Sequence, residues 1–423
     1  MTNNQNQPNQ YDAVLGGNAP PPIHGAVLGG IEGVKRRLAS SNVEAQFAAL
    51  NDALNCDKEG LNIVIKALED NRRKVREAAV ELLQDRNEPQ AKLALENYKF
   101  WDGFEKLYGQ PYGHSTTFAN RKVIEFDPKT GITDTANTAY ALRASYHYRS
   151  WRKEVSISIE EKLEKLQQRR QKRLAKNVKA LVFGDSPNPE QAIFTALEKF
   201  INVKAIFIGD IQDEECMISM ISLPCLSPIL KASPQLEILK LRGRVDRYKE
   251  VFNPHLKHEN LKAIIIESGG LSWEFITQLC QLELPALEYL ELWLGRKSYG
   301  GNSSIEDLMP IISGKYPKLK YLGLRNSQYS DDIACTLADS PIIENLIELD
   351  LSMGTLSDKG AKALLDCSAV YQLDTLDISK NYLTDEMVKR FKQLDIEIID
   401  MEEEQYYFDE GDFIDERYCT VGE

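Results

Sequence analysis

The sequence predicts an α/β fold: a curved array of about eight parallel strands with helices on its outer side, preceded by a small all-α module. Three observations carry this expectation. A spacing of leucine, two residues, leucine, one residue, leucine recurs from Val178 onward in eight units. Helical periodicity begins at Ile31 and repeats itself at a shift of 32 residues. The chain, 423 residues with 43% hydrophobic and 27% charged, is globular in composition and too long for one ordinary core.

Residues 1–30 are polar and then rich in Gly and Pro, with VLGG at Val14 and again at Val27 around NAPPPIHG. A Pro triplet disfavours helix and Gly pairs are entropically costly to fix, so a disordered arm is expected. In 31–97 the segments SSNVEAQFAALNDAL and DNRRKVREAAVELLQ align Val43 with Val75, Phe47 with Ala79 and Leu50 with Leu82. Between them EGLNIVIKALED places Leu61, Ile65 and Leu68 on one helical face. Paired helices at this period, with KVREAA opening the second, resemble HEAT-like repeats. Stacked repeats need about three units to bury a continuous face, and only two are legible.

The aromatic-rich stretch 98–115, broken by Gly and Pro, reads as a linker that packs locally. Residues 116–176 are expected to cap the array. RKVIEFDPKTGITD and TAYALRASYHY look like two strands around a turn at DPKTG, followed by one helix over 159–179. That helix sets Ile159, Leu163, Leu166 and Leu174 on one side and eight bases, Lys162 to Lys179, on the other. A basic helix can grip phosphates, although a solvated face is the plainer reading.

The repeats occupy 177–400. Full copies stand at Leu236, Leu239, Leu241; Leu261, Ile264, Ile266; Leu287, Leu290, Leu292; Leu319, Leu322, Leu324; Leu346, Leu349, Leu351; and Leu373, Leu376, Ile378. Degenerate ones begin at Val178 and Val203, and DIEIID near Ile398 offers a ninth strand. Each unit is too small to bury its own apolar face, so strand and helix must stack on the next pair. Ser330, Ser357 and Thr384 precede acidic residues as expected N-caps.

This spacing resembles the leucine-rich repeat, most nearly its ribonuclease-inhibitor type. The match departs at Asn381, whose place in other units is taken by Gly269, Gly295, Gly354, Ser327 or Arg244. FIGDI at Phe207, IESGGL at Ile266, LPALEYLELWLG at Leu284 and LDLSMGTLSDKGAKALL at Leu349 are similar to a bacterial cytoplasmic leucine-rich-repeat family, from about Thr117 to Glu423. The resemblance implies an intracellular interaction protein and carries no catalytic residues.

Alternate strand residues face the concavity of such an array. Its early units are apolar there (Ala180, Val182, Ala205, Phe207), its middle is aromatic (Tyr289, Trp293, Tyr321, with Glu291 and Arg325), and its end is acidic (Asp350, Asp377). Tyr, Trp and Arg are enriched in binding hot spots, so Tyr289, Glu291, Trp293, Tyr321, Arg325, Asp350 and Asp377 are the expected contacts to an unknown protein partner, the alternative being that a neighbouring segment, the HEAT-like arm or the acidic tail, covers them. An open Trp293 would make Trp293→Ala cost about 0.5 kcal/mol or less, against about 2–5 kcal/mol for Leu349→Ala.

Net charge is -13, of which the acidic tail 401–423, with nine acids and Arg417, carries -8. Such a surface repels nucleic acid, which is not the expected partner. The alternative kept open is a nucleic-acid or phosphate-ligand binder acting through the basic helix 160–179, or a regulatory subunit of an enzyme system. No phosphate loop, GxGxxG or GxSxG occurs, and HLKHE at His255 lacks the Glu of HExxH, so no catalytic residue, metal or cofactor is expected. Seven unpaired-looking cysteines, no leader-like start and no 18-residue apolar run point to the cytoplasm and away from a membrane.

Overall fold

A computed structural model describes residues 30–40, 43–70, 73–149, 152–164, 166, 168–245, 250–401 and 417–422. The expected disordered arm up to residue 29 and most of the acidic tail, 402–416, lie outside the described residues. Two compact units divide the chain, Met1–Phe100 and Trp101–Glu423.

The first unit holds helices α1 (Gly30–Leu38), α2 (Val43–Ala53), α3 (Asp57–Ala67), α4 (Arg73–Gln84) and α5 (Pro89–Asn97). Val75, Ala79 and Leu83, four residues apart on α4, are wholly buried with Leu50, Ala53 and Val64 from α2 and α3. The two segments related by the 32-residue shift are thus α2 and α4.

In the second unit one sheet runs through twelve strands in chain order. They are β1 (Thr117–Phe118), β2 (Arg121–Glu125), β3 (Thr138–Leu142), β6 (Ala180–Phe183), β7 (Ala205–Ile208), β8 (Ile238–Arg242), β9 (Ala263–Glu267), β10 (Tyr289–Gly295), β11 (Tyr321–Ser327), β12 (Glu348–Asp350), β13 (Thr375–Asp377) and β14 (Glu397–Ile399). The hairpin β4 (Ser145–Arg149) and β5 (Arg152–Ile157) stands apart from it.

The middle residue of each leucine motif pairs across every neighbour, in one row: Leu181, Ile206, Leu239, Ile264, Leu290, Leu322, Leu349, Leu376 and Ile398. Behind the sheet lie α6 (Ile159–Glu164), α7 (Arg169–Ala175), α8 (Pro189–Leu197), α9 (Ser227–Ala232), α10 (Trp273–Gln281), α11 (Ile305–Ile312), α12 (Ser330–Ala338), α13 (Asp358–Asp366) and α14 (Asp385–Phe391). One apolar core joins the motif leucines to these helices from Phe126 to Phe391.

Four expectations change. Strands β2 and β3 pair in parallel rather than as a hairpin, because the intervening segment crosses over and sends Tyr140 and Leu142 into the main core. Asp127 does shape the expected turn, accepting from the Lys129 and Thr130 amides at 2.9 and 3.3 Å. The sheet is consequently longer than eight strands, gaining β1 to β3 at one end and β14 at the other. The basic helix is two helices, α6 and α7, since Gln168 is extended and lets Leu163, Leu166 and Ala175 all reach the core.

The last change concerns the caps. Ser357 and Thr384 accept from the amides of Lys359 and Met387, but Ser330 lies inside α12 and donates to the Ser327 carbonyl at 3.0 Å.

Glycine at the Asn381 position has a steric cause. Gly295 has φ +67°, and a Cβ there would fall 1.9 Å from the Gly269 oxygen; one on Gly269 would fall 2.4 Å from the Gly422 oxygen. Asn381 itself donates to the Leu351, Ile378 and Ser379 carbonyls at 2.9–3.2 Å, the turn chemistry that the glycine-bearing units lack.

Candidate functional site

Residues 101–116 form a strap along the face of the sheet opposite the helices. None of them is in a strand. Phe104 meets the Tyr289 ring edge-on at 5.2 Å between centroids, with Trp101 at 6.1 Å. Lys106 reaches Asp350 at 3.3 Å and Asp377 at 3.9 Å, with its ammonium 5.1 Å from the Tyr321 ring. Tyr108 donates its hydroxyl to Asp377 at 2.6 Å. Further along, the Ser115 amide donates to Asp210 Oδ1 at 3.0 Å, and Asp213 N donates to the Pro111 carbonyl at 2.9 Å.

Beneath the strap the repeat register builds the site. Tyr289 and Tyr321 are direct neighbours on β10 and β11, so their rings stack at 3.8 Å and 8°. Glu291, two residues along, accepts from Tyr289 at 2.5 Å, from Trp293 Nε1 at 2.8 Å and from Arg325 Nη1 at 2.8 Å. Arg325 also donates to Ser352 Oγ at 2.8 Å and to the Leu107 carbonyl of the strap at 2.6 Å, and it pairs with Asp350 at 3.3 Å. Its guanidinium stands over both the Tyr108 and Trp293 rings, 5.2 and 5.3 Å from their centres. Tyr321 donates to Asp350 at 2.8 Å.

The C-terminal residues close the rim beside Trp293. Asn326, with φ +53°, exchanges two hydrogen bonds with the Val421 backbone at 2.7 and 2.9 Å. Val421 completes an apolar cluster with Ile218, Trp293 and Met353, against which Leu107 and Tyr108 pack.

All seven sequence-selected residues therefore come together, from Tyr289 on β10 to Asp377 on β13. The open concave patch expected of them does not exist in this arrangement: Trp293, Tyr321, Arg325 and Asp377 are 0% exposed and Tyr289, Glu291 and Asp350 at most 4%. The strap and the chain end cover them. Sequence reasoning missed Lys106, Leu107, Tyr108, Asn326 and Val421. A usable signal was present in the aromatic density of FWDGFEKLY, which exceeds what a solvated linker needs.

A second ion cluster lies toward the other end. Glu267 pairs with Arg242 and Lys240, each at 2.7 Å, and Asp210 pairs with Arg143. Burial pushes the Glu267 carboxyl up, but Arg242 and Lys240 outweigh it and hold it below its ordinary value. Lys240 and Arg242 also stand over the Phe207 ring at 4.8 and 5.2 Å.

Electrostatics split the two acids at the strap. Burial would raise Asp350, yet Arg325 and Lys106 hold it down to about 2. Asp377 is pushed up to about 6, first by burial and then by the Asp350 charge, against the pull of Lys106 and Tyr108.

A carboxyl raised above its unfolded value of 3.8 contributes stability that is complete below about pH 4 and lost as pH rises through 6. Asp350 works oppositely, its contribution being present above about pH 4 and lost toward pH 2. The unfolding free energy of the wild type, read from urea titrations, is expected to fall from pH 5 to pH 7 by roughly 1 kcal/mol if Asp377 acts alone, the rest of the loss lying between pH 4 and pH 5. Asp377→Asn keeps an acceptor for Tyr108 and should flatten that slope. An unchanged slope would remove Asp377 as its source.

On the outer side, Arg169, Arg170, Lys172 and Arg173 of α7 are exposed and make no ion pair among the described residues. Lys162 of α6 is turned inward and donates to the Arg143 carbonyl at 2.7 Å. The expected basic face is therefore smaller than the sequence implied. His258, of the HLKHE segment, is buried with Nε2 3.0 Å from the Ser233 carbonyl. Among the described residues no group of three or more His, Cys, Asp or Glu is placed to hold a metal ion, and no helix is long and apolar enough to cross a membrane.

No protein-family model matches the chain, and no curated protein matches it. Among solved structures it is similar to a Bacteroides fragilis protein at 29% identity and TM-score 0.51, over 58% of this chain and 69% of that one. Weaker likenesses are to an internalin from Listeria monocytogenes, at 15% identity and TM-score 0.24 over 54% of this chain and 81% of that one. Another is to a leucine-rich-repeat protein of Leptospira interrogans, at 14% and 0.21 over 55% and 74%.

Proposed function

We propose that this chain is a non-catalytic protein-interaction scaffold: a leucine-rich-repeat array with a HEAT-like helical module, acting in a bacterial cytoplasm and holding a protein partner on its concave face. The observation that carries the reading is the strap itself. A face that holds an extended segment through stacked tyrosines, a guanidinium and paired carboxylates has the chemistry to hold another. The motif spacing supports the repeat assignment, and the likeness to a Bacteroides fragilis protein supports a bacterial setting. Seven cysteines with no disulfide among them suit a reducing compartment.

Two buried acids pushed apart in pKa could serve as an acid and base pair. Their oxygens are instead occupied by Lys106, Tyr108, Tyr321 and the Ser352 and Ser379 amides, which favours a structural role.

The test is affinity capture of the tagged chain at moderate salt, followed by adding the purified captured protein back and mapping hydrogen exchange. Slowed exchange or altered strap protection over β10 to β13 is expected. A footprint on α7, with affinity falling steeply between low and moderate salt, would replace this reading with a polyanion binder.

A further inference from the structure

We propose that the strap is an internal stand-in for the partner, so that the concave face takes in trans an extended peptide presenting an aromatic residue, a lysine and a tyrosine at alternate positions. This rests on the scaffold reading and names its partner's chemistry. The positions are those of Phe104, Lys106 and Tyr108, which meet Tyr289, Asp350 and Asp377 in that order. Two residues of extended chain span about 7 Å, against a strand spacing of about 4.8 Å. A peptide crossing the sheet therefore brings every second side chain over a new strand or the next but one, which is the order seen from β10 to β13.

Charge narrows the partner further. With the strap seated, Glu291, Asp350 and Asp377 are at most 4% exposed; once Lys106 is withdrawn, the three carboxyl groups face Arg325 alone among the described residues. Such a cradle demands a cation, and a peptide without one would leave carboxylates buried and unpaired. The tyrosine hydroxyl answers Asp377 in the same way.

Exchange is also built into how the strap is held. Phe104, Lys106, Leu107 and Tyr108 are only partly buried while the sheet residues under them are closed off, and no β-ladder ties the strap to the sheet. Segments that are partly buried and outside any strand ladder open locally before the core does. Because the strap is covalently attached, a partner competes against a high effective concentration, and the strap sets the threshold for binding.

The test uses the full chain and a fluorescein-labelled peptide of sequence WDGFEKLYGQP, read by anisotropy. A Lys106→Ala, Tyr108→Phe double variant, shown folded by its melting transition, is expected to bind the peptide at least tenfold tighter than the wild type does. Replacing the peptide's own lysine by alanine should abolish that binding. A folded variant that takes up no peptide overturns the proposal. Should the variant not fold, native-state hydrogen exchange on the wild type decides. Strap amides opening independently of denaturant, while β10 to β12 exchange only on global unfolding, support it; strap amides opening only globally overturn it. A captured protein that footprints away from β10 to β13 would instead defeat the scaffold site, whereas a strap-opened variant that binds that protein but not the peptide would defeat this inference alone.

Discussion

Arg325→Ala is expected to destabilise the repeat unit by about 3–5 kcal/mol, because it breaks a buried charge network beneath the strap. The guanidinium is wholly buried and touches three different elements: Glu291 on β10, Asp350 and Ser352 at β12, and the Leu107 carbonyl of the strap. Its removal leaves two carboxylates without their main counter-charge in a region closed to water. Burial alone would favour the neutral guanidine, but Asp350 and Glu291 hold the group firmly charged, so the pair network is electrostatically committed. Lysine is not a substitute, because one ammonium cannot donate along Nε, Nη1 and Nη2 to four separated acceptors. Urea denaturation followed by circular dichroism measures the loss; an Arg325→Ala protein within about 1 kcal/mol of wild type would mean that the strap relaxes and readmits water, so that these charges are not held dry.

Trp293→Ala should cost about 3–5 kcal/mol, near the upper range for a buried aromatic truncated to alanine. The sequence alone pointed to 0.5 kcal/mol or less, on the premise that Trp293 faces an open concavity. Its face is the expected one, opposite the helices, since Leu292 and Leu294 enter the main core while Trp293 joins Ile218, Met353 and Val421. What was wrong is the exposure, which is 0%. The same substitution also deprives Glu291 of a donor and Arg325 of a ring. Comparison with Leu349→Ala separates the two cores: both should lower the urea midpoint, but only Trp293→Ala should also speed hydrogen exchange in the strap. A Trp293→Ala protein as stable as wild type would show that the strap and chain end do not seal the face.

Legibility followed the range of the forces involved. The leucine spacing is local and repeated, and each unit's strand pairs with the next, so register and the row from Leu181 to Ile398 could be read without coordinates. The parity of Tyr289, Glu291 and Trp293 followed from the two-residue period of a strand. Less was legible at the array's start, where β2 and β3 carry no leucine motif and the separation between them admits either a hairpin or a crossover. The break at Gln168 escaped because the apolar spacing from Ile159 to Leu174 is compatible with one helix or with two short ones.

By itself, then, the sequence determined the stacked α/β architecture and the chemical grading of its inner face, because both arise from contacts between neighbouring, similar units. Only the tertiary structure decided what occupies that face. The contacts from Lys106 to Asp350 and from Tyr108 to Asp377 join residues 244 and 269 positions apart, and Val421 meets Asn326 across 95. No periodicity links such pairs; they form because Lys106 and the aromatic rings of the strap supply counter-charge and apolar contact that offset the cost of burying the carboxylates, and the strap is tethered close by at the array's start.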